Sequence, residues 1–414
     1  MPTTTLTAVG AGKCQVGINY AWGFDKYGSY FGIHQANPIL PQPPVLPANQ
    51  FDRVGFEEIR FERWIMDGVQ LDSKANPVLD AQGNQQIEIN SFRRNLAELK
   101  KLGVSCVRIF LLCNALNWGQ LDSTGQFQPP PYLHPRFRAH LVQMLTECSN
   151  AKMQVIPSLL DFGICQPSLQ GSRRSRIVTD TKKKFSAADQ AAGKLGVREI
   201  FLQQVLLPFL DDSVGFEDTI LAWEVMNEPF WLSSTIFPQG NNRFHKEINL
   251  DPIPESDVDD FLNDAIAIIR GRSFTATVGH RFASDILKGR PPGDRHQFHF
   301  YPNLLNPALA FRDTVFLSKP KVLGVRADLG EFAASEADSD NWLELFRKDT
   351  PSARERVRER LLAAESKGFT LAMLWPDLDI GPKTPGFADP LKYTPEAKQG
   401  ILDFTGGKPG SGSP

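Results

Sequence analysis

The chain has 414 residues, 41% of them hydrophobic and 22% charged, an ordinary globular composition that excludes disordered and fibrous classes. A formal net charge of −2 leaves no cationic surplus for phosphate backbones or anionic lipid, so neither nucleic acid nor membrane is expected as a partner. Five cysteines without a Cys-x-x-Cys spacing exclude a disulfide framework or zinc knuckle and read as small buried hydrophobes.

The first ten residues carry neither the basic nor the apolar stretch of a secretory leader, so the chain as written is expected to be cytoplasmic, or secreted if a leader has been trimmed. The sequence says nothing about oligomeric state. From there on, short apolar segments rich in β-branched and aromatic residues alternate with longer amphipathic ones, the pattern of repeated βα units around a parallel sheet. Strands are predicted over 14–22, 104–113, 154–162, 219–227, 274–279, 296–301, 321–332 and 369–378. Helices with charged faces are predicted over 91–102, 135–151, 188–210, 256–270, 352–367 and 394–404.

Eight such strands are the count of a (β/α)8 barrel, whose usual size is about 250 residues. The surplus of about 160 residues over that norm is assigned to insertions at about 23–90, 163–189, 229–254 and 333–350. Each follows a strand and precedes a helix, so all four are expected on the C-terminal face, where barrel enzymes build their active sites. The Pro-rich run 37–47 has too little chain before it to bound a separate domain. The expected architecture is an α/β chain, a single (β/α)8 TIM-barrel catalytic domain over 1–405 with long insertions in its βα loops. A small β excursion is expected at 56–89 and a flexible tail at 406–414.

The sharpest local signal is Trp223-Glu224-Val225-Met226-Asn227-Glu228-Pro229. An apolar strand ends in an Asn-Glu pair, and Pro229, which cannot donate to the ladder, stops it. Strict alternation sends Asn227 and Glu228 to opposite faces, so sharing one mouth requires a bulged or irregular strand end. A second apolar run gives out in Gly330-Glu331-Phe332 and delivers another carboxylate to a strand end. Two carboxylates on separate strand ends of one barrel are what glycoside hydrolysis requires: an acid for the leaving oxygen, and a nucleophile or base for the sugar carbon. Either Glu alone reads as a solvated loop charge. Their joint placement on the fourth and seventh predicted strands singles them out.

Other residues gather at the same level. His299 and Tyr301 close the sixth strand two apart, hence on one face, whereas His296 and His299 face opposite ways, so no chelating pair is read and no metal is expected. Arg108 lies inside an apolar strand and needs a carboxylate partner, either in a core ion pair or as the orienter of a catalytic carboxylate. Trp375 closes the eighth strand as a sugar platform or as packing. Asn19 and Trp22 close the first, and the aromatic run 22–31 reads equally as a sugar-stacking surface or a hydrophobic lid. Gly10-Ala11-Gly12-Lys13-Cys14 lacks the first Gly and the final Ser/Thr of a phosphate loop. There is no Gly-x-Ser-x-Gly elbow, the basic runs at 173–176 and 182–184 read as solvated surface, and no cofactor is implied.

Taken together, these residues resemble the retaining (β/α)8 clan of glycoside hydrolases, most closely the cellulase- and mannanase-containing glycoside hydrolase family 5. The resemblance implies hydrolysis of β-linked glucosides, mannosides or related saccharides by double displacement, with carbohydrate as the partner. It makes Glu228 the acid/base, Glu331 the nucleophile and Asn227 the partner of the sugar 2-hydroxyl. It also makes Arg108 and Tyr301 supports of the nucleophile, His299 a neighbour of the acid/base and Trp375 the platform under the reacting sugar. The family usually has a His at the end of the third strand, where this chain has Asp161, expected as its replacement. Glu228 is expected to be kept protonated by the negative charge beside it. The alternative is a barrel that binds glycans without hydrolysing them.

Overall fold

Eight largely buried runs, most of them apolar and continuous rather than alternating because both faces are covered, form the strands of a closed, all-parallel barrel. They are β1 (Gln15–Asn19), β2 (Cys106–Phe110), β3 (Gln154–Asp161), β4 (Trp223–Asn227), β5 (Ala276–His280), β6 (Arg295–Phe300), β7 (Ala327–Ala333) and β8 (Leu371–Trp375). Each falls within or beside a predicted segment. Strands pair with their neighbours in chain order, and β1 closes the ring by pairing with β2 (Gly17 opposite Cys106) and with β8 (Val16 opposite Ala372). The computed structural model describes residues 13–20, 68–69, 81, 87–88, 91–112, 120–121, 127–128, 135–162, 165, 176–238, 246–248, 252–300, 327–333, 352–375 and 393–406.

The main core lies between the barrel and its helices and includes Val107, Ile109, Leu159, Val225, Val278 and Leu329. Inside the barrel, Cys106, Ile156, Leu371 and Met373 form a separate apolar floor. Residues two positions further along these strands point the same way, and at that level Arg108 and Ser158 begin a polar layer. Gly17 makes room for the floor: a Cβ there would lie 2.6 Å from Met373 Cγ.

The helices are Ser91–Lys101, Pro135–Asn150, Glu255–Gly271, Ala353–Lys367 and Pro395–Thr405, close to the predicted ranges. Ser352 caps its helix in a reciprocal box with Glu355. The predicted helix over 188–210 is instead broken into Ala187–Ala191, Val197–Phe201, a π turn Leu202–Leu206, and Leu207–Asp212. Gly193 turns left-handed at φ 72°, Gly196 packs where a Cβ would lie 2.4 Å from Asp180 O, and the π turn relieves the clash Pro208 would impose on a regular helix. A short helix, Ala283–Leu287, bridges β5 and β6. At five residues it is too brief to show helical periodicity in sequence.

Parts of the expected insertions carry structure of their own. Gly68–Val69 pairs antiparallel with Ile87–Glu88, and Ile236–Pro238 with Lys246–Ile248, the latter after a short helix Phe230–Ser233. A further ribbon, Gln120–Leu121 with Phe127–Gln128, elaborates the link from β2 to the next helix, which the sequence reading left out. The expected insertion 333–350 lies outside the described residues beyond Ala333. Among the described residues, Cys14, Cys106, Cys148 and Cys165 are buried and free, and no helix is long and apolar enough to cross a membrane.

Candidate active site

Arg108 organises the polar layer. It is fully buried in β2, and each of its five N–H groups has an acceptor. Nε and Nη2 grip the Glu224 carboxylate at 2.7 and 2.5 Å, Nη1 donates to Glu331 Oε1 at 2.5 Å and Asn19 Oδ1 at 2.8 Å, and Nη2 also donates to Asn227 Oδ1 at 2.6 Å. Burial works against the guanidinium charge, but Glu224 and Glu331 more than offset it and hold Arg108 protonated. Glu224 also accepts from Ser158 Oγ at 2.6 Å and from Gln297 Nε2. Gly279 leaves the space for this pairing, since a Cβ there would lie 3.0 Å from Glu224 Oε1.

The strand-end problem posed by Asn227 and Glu228 is solved in the backbone. Glu228 adopts φ 47°, left-handed for a non-glycine residue, its N–H donates to Gly279 O at 2.7 Å, and the β4–β5 register slips between Thr277 and Gly279. Such a conformation costs of order 1–3 kcal/mol and persists only where surroundings enforce it. It brings Asn227 and Glu228 into one mouth. Asn227 is fixed at both ends of its amide, Oδ1 by Arg108 and Nδ2 by Asp161 Oδ2 at 2.7 Å. The Nδ2 group keeps a second N–H for a ligand.

Glu228 Oε2 accepts from Trp231 Nε1 at 2.7 Å, and Oε1 faces His299 Nδ1 at 2.9 Å and Arg281 Nε at 3.6 Å. His299 Nδ1 also lies 3.4 Å from Glu331 Oε2, so it sits between the two carboxylates and carries its proton on that nitrogen. The residue is opposite Glu331 in the β6–β7 ladder, where the register slips. Burial raises the Glu228 carboxyl, but the Arg281 charge and the hydrogen bonds from His299 and Trp231 outweigh it and bring it down to about 2. This corrects the sequence expectation: in the free molecule Glu228 is ionised, because the charge that wins beside it is the cation of Arg281.

Of the remaining sequence candidates, Asn19 is fully buried. Its Nδ2 donates to Gly330 O at 3.0 Å and Leu374 O at 3.2 Å, so it braces β1 against β7 and β8. Trp375 is half-buried at the end of β8, edge-on to Phe110 at 6.2 Å. Tyr301 and Trp22 lie outside the described residues. Sequence reasoning missed Glu224, Trp231 and Arg281. Glu224 is, like Arg108, a charge inside an apolar strand, and Arg281 directly follows an apolar strand, the signal that located the two catalytic candidates.

Among the described residues, Glu228, His299 and Glu331 form the one group of potential metal donors within 4.8 Å of one another. These donor atoms already engage each other and two guanidiniums. The arrangement is one of charge-paired carboxylates rather than open ligands. Chemically it offers two carboxylates of different setting: Glu331 clamped by Arg108, and Glu228 bridged to it through an imidazole.

No family model and no curated protein matches the chain. Solved structures do. The chain is similar to a GH5-4 broad-specificity endoglucanase from Clostridium longisporum, at 14% identity over 96% of this chain and 97% of that one, with a TM-score of 0.52. It is also similar to a glycoside hydrolase 5 lichenase from Caldicellulosiruptor sp. F32, at 14% identity over 94% and 92%, with a TM-score of 0.51. The β-mannanase of the blue mussel Mytilus edulis matches at 14% identity over 76% and 84%, with a TM-score of 0.49. At these identities the likeness is one of architecture: the chain has the (β/α)8 barrel of the glycoside hydrolases whose structures it matches.

Proposed function

We propose that this chain is a retaining β-glycoside hydrolase acting on β-linked glucosides, mannosides or related oligo- and polysaccharides. The observation that carries the reading is the convergence of Glu228 and Glu331 from β4 and β7, with one oxygen of each and a His299 nitrogen within 4.8 Å of one another. That spacing favours the roughly 5–5.5 Å separation of a retaining pair over the roughly 6.5–9.5 Å that leaves room for an inverting water. Glu331 attacks the anomeric carbon while Glu228, having taken up a proton, passes it to the leaving oxygen. The Glu228 carboxylate then takes a proton from water, which displaces Glu331 from the sugar with configuration retained. Arg108 pairs with Glu331 and aims it, and the second amide N–H of Asn227 reaches for the 2-hydroxyl.

The test is a panel of p-nitrophenyl β-glucoside, β-mannoside and β-galactoside beside soluble glucan and mannan. At least one is turned over, Glu331→Ala loses several orders of magnitude, and added azide then yields a glycosyl azide of inverted configuration. A fully active Glu331→Ala, or inverted sugar as the first product of the native protein, would overturn the mechanism. Binding of the oligosaccharides without turnover would leave a glycan-binding barrel.

A further inference from the structure

Of the polar groups on Glu228, Arg281 is the one that does not orient it. Trp231 and His299 fix the carboxylate through hydrogen bonds of 2.7 and 2.9 Å to its two oxygens. At 3.6 Å, Arg281 Nε is too far for a hydrogen bond and contributes charge. Its side chain is 2% exposed and its guanidinium lies 5.2 Å over the Phe282 ring, itself edge-on to Phe230 at 5.2 Å. The charge is therefore held in place and poorly screened by solvent.

The other titratable groups around Glu228, His299 apart, are committed elsewhere. Glu331 from β7 and Glu224 from β4 are both gripped by Arg108 of β2, and Asp161 of β3 receives the Asn227 amide. His280 of β5 lies 2.9 Å from Pro291 O, and burial brings it down to about 4, so it is neutral at working pH. His299 of β6 bridges the two carboxylates. Arg108 donates none of its N–H groups to Glu228.

A fixed cation beside an acid/base works against the acid, which has to hold a proton, while a base that is already a carboxylate at working pH gains nothing from it. Resting on the glycosidase reading, we propose that Arg281 tunes Glu228 rather than orienting it: its charge weakens the acid role, so that protonation of the leaving group, and not release of the sugar from Glu331, limits turnover of glycosides with poor leaving groups. The same charge keeps Glu228 a carboxylate in the covalent intermediate. There Glu331 is a neutral ester, and its negative charge no longer opposes Arg281.

Arg281→Gln and Arg281→Lys in the full chain test this with two readouts. The first needs no turnover: the indole N–H resonance of Trp231, assigned with Trp231→Phe, reports Glu228 through its hydrogen bond and is titrated by NMR. Arg281→Gln moves the midpoint up by about one pH unit or more, while Arg281→Lys stays near the native value. An unmoved midpoint in Arg281→Gln overturns the proposal whether or not any glycoside is hydrolysed. The second is kinetic. In Arg281→Gln the alkaline limb of kcat/KM on a poor leaving group moves up in pH. On a dinitrophenyl glycoside, whose leaving group needs no proton and where sugar release sets the rate, kcat changes by no more than about twofold, because Glu228 is a carboxylate at working pH in both proteins. A dinitrophenyl kcat that falls along with kcat/KM on the poor leaving group also overturns it. If Arg281→Gln does not fold, Arg281→Met, which keeps bulk over Phe282, carries the same comparisons. A shifted midpoint in a protein whose native form turns over no glycoside overturns the hydrolase reading alone.

Discussion

Arg108 shows how one side chain sets the charge state of a buried layer. Removing it leaves Glu224 and Glu331 facing each other's field without a cation, and breaking a buried pair by deleting one partner costs about 3–5 kcal/mol. Arg108→Gln should lose stability on that scale in urea unfolding, and adding Glu224→Gln should recover part of it, because the second change removes a stranded charge. Strict additivity would show that the two residues do not share the charge. Glu228 makes a prediction of different form. Its folded value of about 2 lies below the ordinary 4.5, so its carboxylate contributes stability that is present above the ordinary value and is lost as pH falls through about 2. Thermal unfolding from pH 5 downward should therefore show a steeper fall in Tm for the native protein than for Glu228→Gln. Equal slopes would place the acid sensitivity elsewhere.

At the scale of elements, closeness of approach decides what glycine does. A Cβ on Gly330 would lie 2.7 Å from Gln297 Cγ and 2.8 Å from its Nε2, the amide that donates to Glu224. Gly330→Ala should cost about 1–3 kcal/mol by overpacking and slow turnover, because Glu331 is the next residue on β7. Gly271→Ala, with nothing within 4 Å of its Cβ, should be neutral or stabilising in the same melting assay. Most of the strands were legible because strands covered on both faces read as mainly apolar runs, and polar residues toward their C-terminal ends, such as Asn227 and Glu331, stand out against them. Arg108 was legible as a charge needing a partner. That Glu331 would be a partner came only from the family resemblance, and that Glu224 would be one was not legible at all, since both reach Arg108 through barrel closure rather than sequence spacing. Arg281 and Trp231 escaped for a similar reason: their meaning lies in one oxygen of Glu228, brought to them by a left-handed residue that no periodicity announces. The broken helix around Pro208 and the ribbon at Gln120–Leu121 depend on local clashes and loop packing, which a count of apolar positions does not contain.

For the molecule as a whole, the barrel has a seam where its last strand meets its first, and the final helix covers it. Pro395–Thr405 buries Ala397, Ile401, Leu402 and Phe404. It packs so closely on Ala353–Lys367 that a Cβ on Gly400 would lie 2.5 Å from Arg354 O. Its far end reaches the first βα unit: Thr405 Oγ1 donates to Leu102 O at 2.9 Å, and Lys13, just before β1, lies 5.2 Å over the Phe404 ring. The helix thus ties the element before β8 to those before β1 and β2. Because β1 is hydrogen-bonded to both β2 and β8, loosening the cover should weaken closure everywhere rather than fray one end. Ile401 is fully buried, and Ile401→Ala should cost about 2–5 kcal/mol. Far-UV circular dichroism, tryptophan fluorescence and residual turnover should then shift together along the urea axis, as they do when a barrel unfolds as one cooperative unit. Turnover lost well before the circular dichroism signal would show instead that the seam opens on its own, with the polar layer around Arg108 disordered while the strands still hold.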